Sequence, residues 1–451
     1  MSFQQFSREI MKYVRPIWYF HQKPCEEIRS VWIQYSQLKP EEKDVIDYDN
    51  EYSNSILCDW DAAYQILMRG IIKDNKSDIH ENEIELLPID LYRFIRKYYK
   101  KPWLYFTFFQ RILLLYNPIR ELIGFYKTKD VIKINLFSKN YVYKDYSTFN
   151  SVLIHSNPLV TIIIPTYNRY ELLQKVLSDL EKQNYTHFEV IIIDQSSLFR
   201  EEFYNQFNPK FRIIRQNEPA LWKARNRAIE TSKSEYLLFL DDDSRIEADW
   251  ILEHLKCIDF FNADISAGIS LSLKGSKVPE NYSFFRLSDQ LDTGNVLIKR
   301  KVFFKCGLFD RQFEKQRMGD GEFGLRSYLN GFKSISNPLA KRIHLKSESG
   351  GLRVMGYWDS FRSNNWFAMR PAPSVLYFWR KNWGNKLAIC ALIQTIPFSL
   401  NPYNLKGKKI GYILSLLLFF SFFPIIIIPV ICSWNKSRKM INMGPIIKRL
   451  T

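Results

Sequence analysis

A chain of 451 residues has room for roughly two to four domains and a full hydrophobic core. With 46% hydrophobic, 16% aromatic and 25% charged residues, it is neither a disordered tail, nor a collagen, nor a small disulfide scaffold. The formal charge of +17 is concentrated at one end: from Gly331 to Thr451 there are 18 Lys and Arg against Glu348 and Asp359 alone, which implies an acidic partner such as nucleic acid, anionic lipid or a phosphorylated substrate.

Residues 1–157 read as a helical accessory region. Its strongest signal is one helical stretch from Leu91 to Tyr126, where Leu91, Phe94, Ile95 and Tyr98 share a face, as do Phe108, Ile112, Leu113 and Tyr116. No pattern there points to chemistry, and the segment Glu41–Asp61 is acid-rich, with Lys43 its only base. The first twenty residues contain no continuous apolar run, so no secretory signal is expected. None of the 6 cysteines forms a CxxC pair, which argues against a zinc site or disulfide framework and fits a reducing compartment.

After Pro158, Leu159–Ile164 is a continuous apolar run, as a buried parallel strand requires, and Pro165 is expected to stop it. Asn168 is placed to cap a helix whose Leu172, Leu173, Val176, Leu177 and Leu180 share a face. Phe188–Asp194 reads as a second buried strand ending in a carboxylate. A strand at Phe211–Arg215, a helix at Ala220–Ser232 and a strand at Tyr236–Leu240 follow, the last running into Asp241-Asp242-Asp243. This alternation predicts an α/β fold with an open, mostly parallel sheet, in which ligands sit outside the carboxyl ends of the strands. Thr166, Asp194 and Asp241–Asp243 should then line one crevice. A short apolar run after Gly294-Asn295, a helix-like segment before Gly307 and Asp310, and a helix from Asp320 to Asn330 stopped by Gly331 complete a domain over 158–367.

Residues 368–451 form a basic, apolar C-terminal region. Ile410–Cys432 carries no charge. As a helix it would be about 35 Å long, enough for a hydrocarbon core of about 30 Å, with kinks at Pro424 and Pro429. A buried core helix is the alternative, against which its uniform apolarity stands. Lys406, Lys408 and Lys409 precede it, and Lys436, Arg438 and Lys439 follow. A simple span would strand one basic cluster on the far side, whereas a re-entrant hairpin keeps both flanks cytoplasmic. Leu387–Leu400 is too short to span and belongs at the interface or inside the protein.

Three adjacent carboxylates at a buried strand end are costly unless something compensates them. A hard divalent cation, Mg²⁺ or Mn²⁺, does so when held by one or two carboxylates plus substrate phosphates. The other possibility is a helix cap by Asp243 and Ser244 near Glu247. The segments VTIIIPTYNR (160–169), VIIID (190–194), KARNRAI (223–229), YLLFLDDD (236–243), TGNVLIKR (293–300), GLFD (307–310) and GDGEFGLRSYLNGF (319–332) occur in that order. Together, over about residues 158–350, they resemble the family 2 glycosyltransferases of the GT-A fold.

The resemblance implies roles for matching positions. Thr166 and Tyr167 would contact the nucleotide, Asp194 would accept from the base ring N–H, and Arg225 and Asn226 would lie near the base and ribose. Asp241 and Asp243 would place the divalent cation on the diphosphate, with Asp242 near the ribose and His344 a further metal or phosphate contact. Asp320 would be the general base. Gly319 departs from the family pattern, where Glu is common, and DQSS (194–197) stands for the commoner DDGS. The absence of a QxxRW motif favours single addition. The implied enzyme is an inverting, hexosyltransferase-type glycosyltransferase on the cytoplasmic face of a membrane. It would move a sugar from a nucleoside-diphosphate donor to a glycan or lipid-linked acceptor in bacterial-type surface polysaccharide synthesis. Its partners would be those substrates and an anionic membrane surface, with no nucleic acid. The alternatives are a catalytically inactive scaffold of the same fold, or a basic nucleic-acid- or membrane-binding protein.

Overall fold

The computed structural model describes residues 3–25, 31–73, 85–207, 211–272, 278–345, 368–401, 405 and 408–450. Lys406 and the last part of the expected 158–367 domain, residues 346–367, lie outside the described residues. The chain divides into two compact units: Met1–Asp145 with Ser283–Leu287, and Tyr146–Tyr282 with Ser288–Thr451.

The first unit is helical: α1 (Phe3–Met11), α2 (Ser55–Met68), α3 (Pro88–Tyr98), α4 (Lys101–Leu113) and α5 (Pro118–Lys127). The single stretch expected over Leu91–Tyr126 is therefore three helices. Pro102 and Pro118 sit in the first turns of α4 and α5, where a missing N–H leaves no bond unmade and the fixed φ starts a helix. Asn117 caps α5, its Oδ1 accepting from the N–H groups of Ile119 and Arg120 at 3.0 and 3.2 Å. Trp32, Trp60, Tyr92, Phe6 and Phe94 are fully buried in this unit. Beside them lies a closed polar network. Asp61 accepts from Tyr52 and Tyr98 hydroxyls at 2.7 Å, from Gln65 Nε2 at 3.0 Å and from Lys97 Nζ at 2.5 Å. Arg93 forks onto Asp49 at 2.8 and 2.7 Å.

The second unit is built on a mixed sheet of β1 (Val160–Thr166), β2 (Phe188–Asp194), β3 (Phe211–Arg215), β4 (Tyr236–Leu240), β5 (Ser244–Ile246), β6 (Ile265–Ser272), β7 (Asn295–Lys299) and β8 (Ser334–His344). The order is β3-β2-β1-β4-β7-β6-β8-β5. The first four strands are parallel, β7 is antiparallel to both β4 and β6, and β6 and β8 run parallel. Ile162, Ile163, Ile164, Val190, Ile191, Leu237 and Leu238 are fully buried, as strands covered on both faces require. β1 continues through Pro165 to Thr166 instead of stopping at the proline, which brings Thr166 level with Asp194. The helices α6 (Tyr170–Leu180), α7 (Leu221–Thr231), α8 (Trp250–Phe260), α9 (Arg300–Cys306) and α10 (Gly319–Leu329) accompany the sheet. Asn168 does not cap α6: it lies at φ 54, and its Oδ1 accepts from Ser197 N–H at 3.0 Å, tying the loop after β1 to the loop after β2.

The C-terminal region packs in this unit. α11 (Pro373–Thr395) is broken at Gly384, and the apolar segment forms two helices, α12 (Lys409–Ser421) and α13 (Phe423–Met443), bent by 88°. Of the two kinks expected, the one at Pro424 falls at Phe422, just before it, whereas Pro429 lies inside α13 and does not break it. No single helix among the described residues is long and apolar enough to cross a membrane, but the two helices of this bent pair together are. Both of its ends are tied down. Ser415 donates to the Pro397 carbonyl at 2.7 Å, and Arg380 of α11 donates to Ser437 at 2.7 Å. Beyond α13, Leu308 and Arg311 donate to the carbonyls of Lys448 and Ile446 at 2.8 and 3.1 Å.

Candidate active site

The carboxyl ends of β1 and β4 put Thr166 and Asp241–Asp243 side by side. Thr166 Oγ1 donates to Asp242 at 2.8 Å. Ser244 enters β5, paired with β8, so the triplet is not the cap of a helix. Each carboxylate faces cations drawn from distant segments. Asp241 meets Arg225 of α7 and Arg342 of β8, each at 2.9 Å and each on a different oxygen. Arg169, from the loop after β1, lies 3.2 Å from Asp242 and 3.3 Å from Asp243. His344 Nε2 lies 3.1 Å from Asp243 Oδ2. Arg342 also reaches Asp292 at 3.1 Å, and that residue accepts from Ser270 at 2.6 Å.

Gly294 makes this convergence possible. A Cβ there would meet Arg342 Nη1 at 2.1 Å and Asp241 Oδ2 at 2.3 Å. Asp320, the second residue of α10, accepts from the adjacent Gly321 N–H at 2.8 Å. Glu322 is committed elsewhere: it pairs with Arg326 one turn on at 2.8 Å and is buried. Gly319 has a local explanation, because a Cβ would lie 2.3 Å from the Trp222 indole. That ring is fixed by its Nε1–H bond to the Phe313 carbonyl at 3.0 Å.

The acids respond differently to this setting. Burial works to raise Asp241, but the Arg342 and Arg225 guanidiniums hold its carboxyl well below the usual range. Asp242 goes the other way, up to about 6: burial outweighs Arg169, and Asp243 adds repulsion. Asp320 is also pushed up to about 6, by burial and then by the charge of Asp292. A carboxyl with that value is ionised at neutral pH yet basic enough to take a proton.

Several expected nucleotide contacts have partners inside the protein. Asp194 accepts from the Tyr170 and Tyr204 hydroxyls at 2.7 Å and from Ser196 N–H at 2.8 Å. Asn226 exchanges two 2.9 Å bonds with the Phe309 backbone, which fixes the segment before Asp310. Arg225 binds Asp241 and the Thr293 carbonyl. Tyr167 is half-buried beside Thr166. Arg169, Asp292 and Arg342 were not singled out from the sequence. Two of them had a signal: Arg169 closes the TYNR segment, and Asp292 precedes the TGN segment.

Among the described residues no group of three or more His, Cys, Asp and Glu side chains is arranged to hold a metal alone. Asp243 and His344 do converge, and an Asp–His pair suits a divalent cation that takes its remaining ligands from substrate phosphate and water. Asp241, the other expected metal ligand, has an arginine on each oxygen.

The open α/β sheet with a carboxylate crevice at its strand ends is a fold of the GT-A type. Residues 161–309 match the model of "Glycosyl transferase family 2". It is similar to "Glycosyltransferase GlyA" of Streptococcus pneumoniae, 27% identical over 35% of this chain and 22% of that protein. It is likewise similar to "Poly(ribitol-phosphate) beta-N-acetylglucosaminyltransferase TarS" of Staphylococcus aureus, 28% identical over 38% of this chain and 32% of that protein. The chain thus spans between a fifth and a third of the length of these relatives. A solved structure of TarS in complex with UDP-GlcNAc aligns at a TM-score of 0.42 and 19% identity, covering 62% of this chain and 81% of that one.

Proposed function

We propose that this chain is a divalent-cation-dependent, inverting glycosyltransferase. It moves a sugar from a nucleoside-diphosphate donor to a hydroxyl of a glycan or lipid-linked acceptor. The observation that carries this is the division of labour among the crevice acids: Asp243 with His344 on one side, and Asp320 at the start of α10 on the other. A cation held by Asp243 and His344 would supply Lewis-acid stabilisation of the departing diphosphate. Arg169 and Arg342, already beside the acids, add fixed positive charge for the same phosphates. Asp320 accepts the acceptor's O–H proton as its oxygen attacks the anomeric carbon from the face opposite the leaving group. Asp194, Thr166 and Tyr167 line the nucleotide side. Tyr170 and Tyr204 yield their bonds to Asp194 when a base N–H replaces them.

The name of TarS, a poly(ribitol-phosphate) beta-N-acetylglucosaminyltransferase, supports a role in polymer glycosylation, which we place in surface polysaccharide synthesis. A cytoplasmic membrane face is proposed for the bent pair. Its exposed Ile410, Ile413, Leu417, Phe420, Ile428 and Ile431 supply the apolar contact, and the docking of both its ends on the second unit favours a re-entrant arrangement over a simple span. Purified full-length protein offered UDP-, GDP- and dTDP-sugars with Mn²⁺ or Mg²⁺ should release nucleotide from one donor class, and lose that release on chelation. Release from no donor, with acceptor lipid present, would overturn the proposal.

A further inference from the structure

The helices of a soluble unit normally turn their apolar faces inward. α4 and α5 do not follow this. Phe109, Leu113, Leu115, Ile119, Leu122 and Tyr126 are all more than half exposed, Leu113 at 81% and Leu115 at 91%. Such a contiguous apolar face marks an interaction site rather than scattered surface residues. The hairpin that bears it is held firmly. Arg111 forks onto Glu121 at 2.8 and 2.7 Å, and both side chains are buried. Gly124 of α5 lies so close to α3 that a Cβ would meet the Ile89 nitrogen at 2.8 Å. One face of the hairpin is pinned, and the other is presented in a single geometry.

Charge identifies the partner. Lys100, Lys101, Arg120, Lys127, Lys129 and Lys133 are exposed around this face, and Asp130 is the one exposed acid among residues 100–133. All except Arg120 lie at the base of the hairpin. The tip is Leu113–Tyr116, one length of α5 away, about 15 Å. Interfacial helices bury their apolar face about 5–10 Å into the headgroup–acyl boundary while cations stay near the phosphates. A leucine tip ahead of a lysine collar has those proportions, with Arg120 of the first turn of α5 lying between the two. A second copy of the chain would bring one collar against another.

We propose that the α4–α5 hairpin is a membrane-docking element that seats its leucine tip in an anionic bilayer, independently of the C-terminal apolar pair. The test uses the full chain with Cys25, Cys390 and Cys432 replaced by Ser, and an environment-sensitive fluorophore on Leu115→Cys. Vesicles of phosphatidylglycerol and phosphatidylcholine should shift its emission to the blue and allow quenching by bromine-labelled acyl chains. Phosphatidylcholine alone, or high salt, should abolish the shift, and a label on Asn135→Cys should stay aqueous. The double variant Leu113→Glu/Leu115→Glu changes only exposed positions and should lower vesicle affinity at least about tenfold. A label at residue 115 that stays aqueous while the protein sediments with vesicles overturns the proposal. A blue shift in concentrated protein without lipid also overturns it, in favour of a second copy.

Discussion

Each unit buries a cluster of acids against cations, and the two clusters are built to opposite ends. In the N-terminal unit, Asp61 has four donors and Asp49 has Arg93 and Lys97. Burial alone would raise Asp49, but Arg93 holds it down to about 2. In the second unit, Asp242 and Asp320 sit at about 6. A carboxylate with every lone pair satisfied fixes a fold. One left under-compensated at a strand or helix end is available to a ligand or a proton. The same residue types therefore read as structure in one unit and as chemistry in the other.

The sharpest test removes one acid from the crevice. Asp243→Ala should reduce cation-dependent nucleotide release to background while circular dichroism still shows a folded protein, because the buried Arg169 keeps Asp242 as a partner at 3.2 Å. Near-wild-type turnover with Mn²⁺ or Mg²⁺ would place the cation elsewhere. Asp320→Asn keeps the shape of the helix start but cannot take a proton, so transfer should fall on the order of 10²–10⁴ with nucleotide affinity unchanged. Wild-type transfer by that variant would reduce Asp320 to a structural role. Glu322 would not inherit the task, since Arg326 already holds it.

The counterpart in the N-terminal unit should fail as structure. Lys97→Met leaves Asp61 buried without its cation, and losing one partner of a buried pair costs about 3–5 kcal/mol. Denaturant melting should show that loss, while any folded fraction turns over normally. A variant as stable as wild type would show that the tyrosine and glutamine donors alone suffice for Asp61.

The two clusters also differ in how far the sequence revealed them. Strand-end acids were legible because each ends an apolar run, and a buried parallel strand has to read that way. Their partners were not. Arg342 lies 101 residues from Asp241, and only the sheet order brings β8 within reach. Asp194 and Asn226 stood in the right segments, but the tyrosines and backbone that engage them come from elsewhere in the unit. The departure at Gly319 had no visible cause until Trp222 was found in the space a side chain would need. In the N-terminal unit, helical periodicity ran across Tyr99 and Leu114–Asn117, and the prolines, more than the apolar pattern, set the breaks.

The smallest effect separates the clusters by the sign of their pH dependence. Asp320 has an ordinary value of 3.8 and is raised to about 6 in the folded chain. Below pH 4 it is protonated in folded and unfolded chains alike and contributes no difference. As pH rises from 4 to 6 the unfolded chain gives up the proton and the folded chain keeps it, so wild-type stability falls across that window. The full difference is about 3 kcal/mol, at about 1.4 kcal/mol per pKa unit. Asp320→Asn has no such cost, so its stability relative to wild type should climb between pH 4 and pH 7 and then level off. Asp49 is depressed to about 2, so its contribution is present above about pH 4 and is lost only as pH falls toward 2. Asp49→Asn should therefore be less stable than wild type by a constant amount across the same window. Denaturant melts of the two variants at pH 4, 5, 6 and 7, with chelator present, give both curves. A flat Asp320→Asn difference would mean that α10 holds Asp320 as an ordinary surface carboxylate, and the contrast between the two clusters would then rest on Asp242 alone.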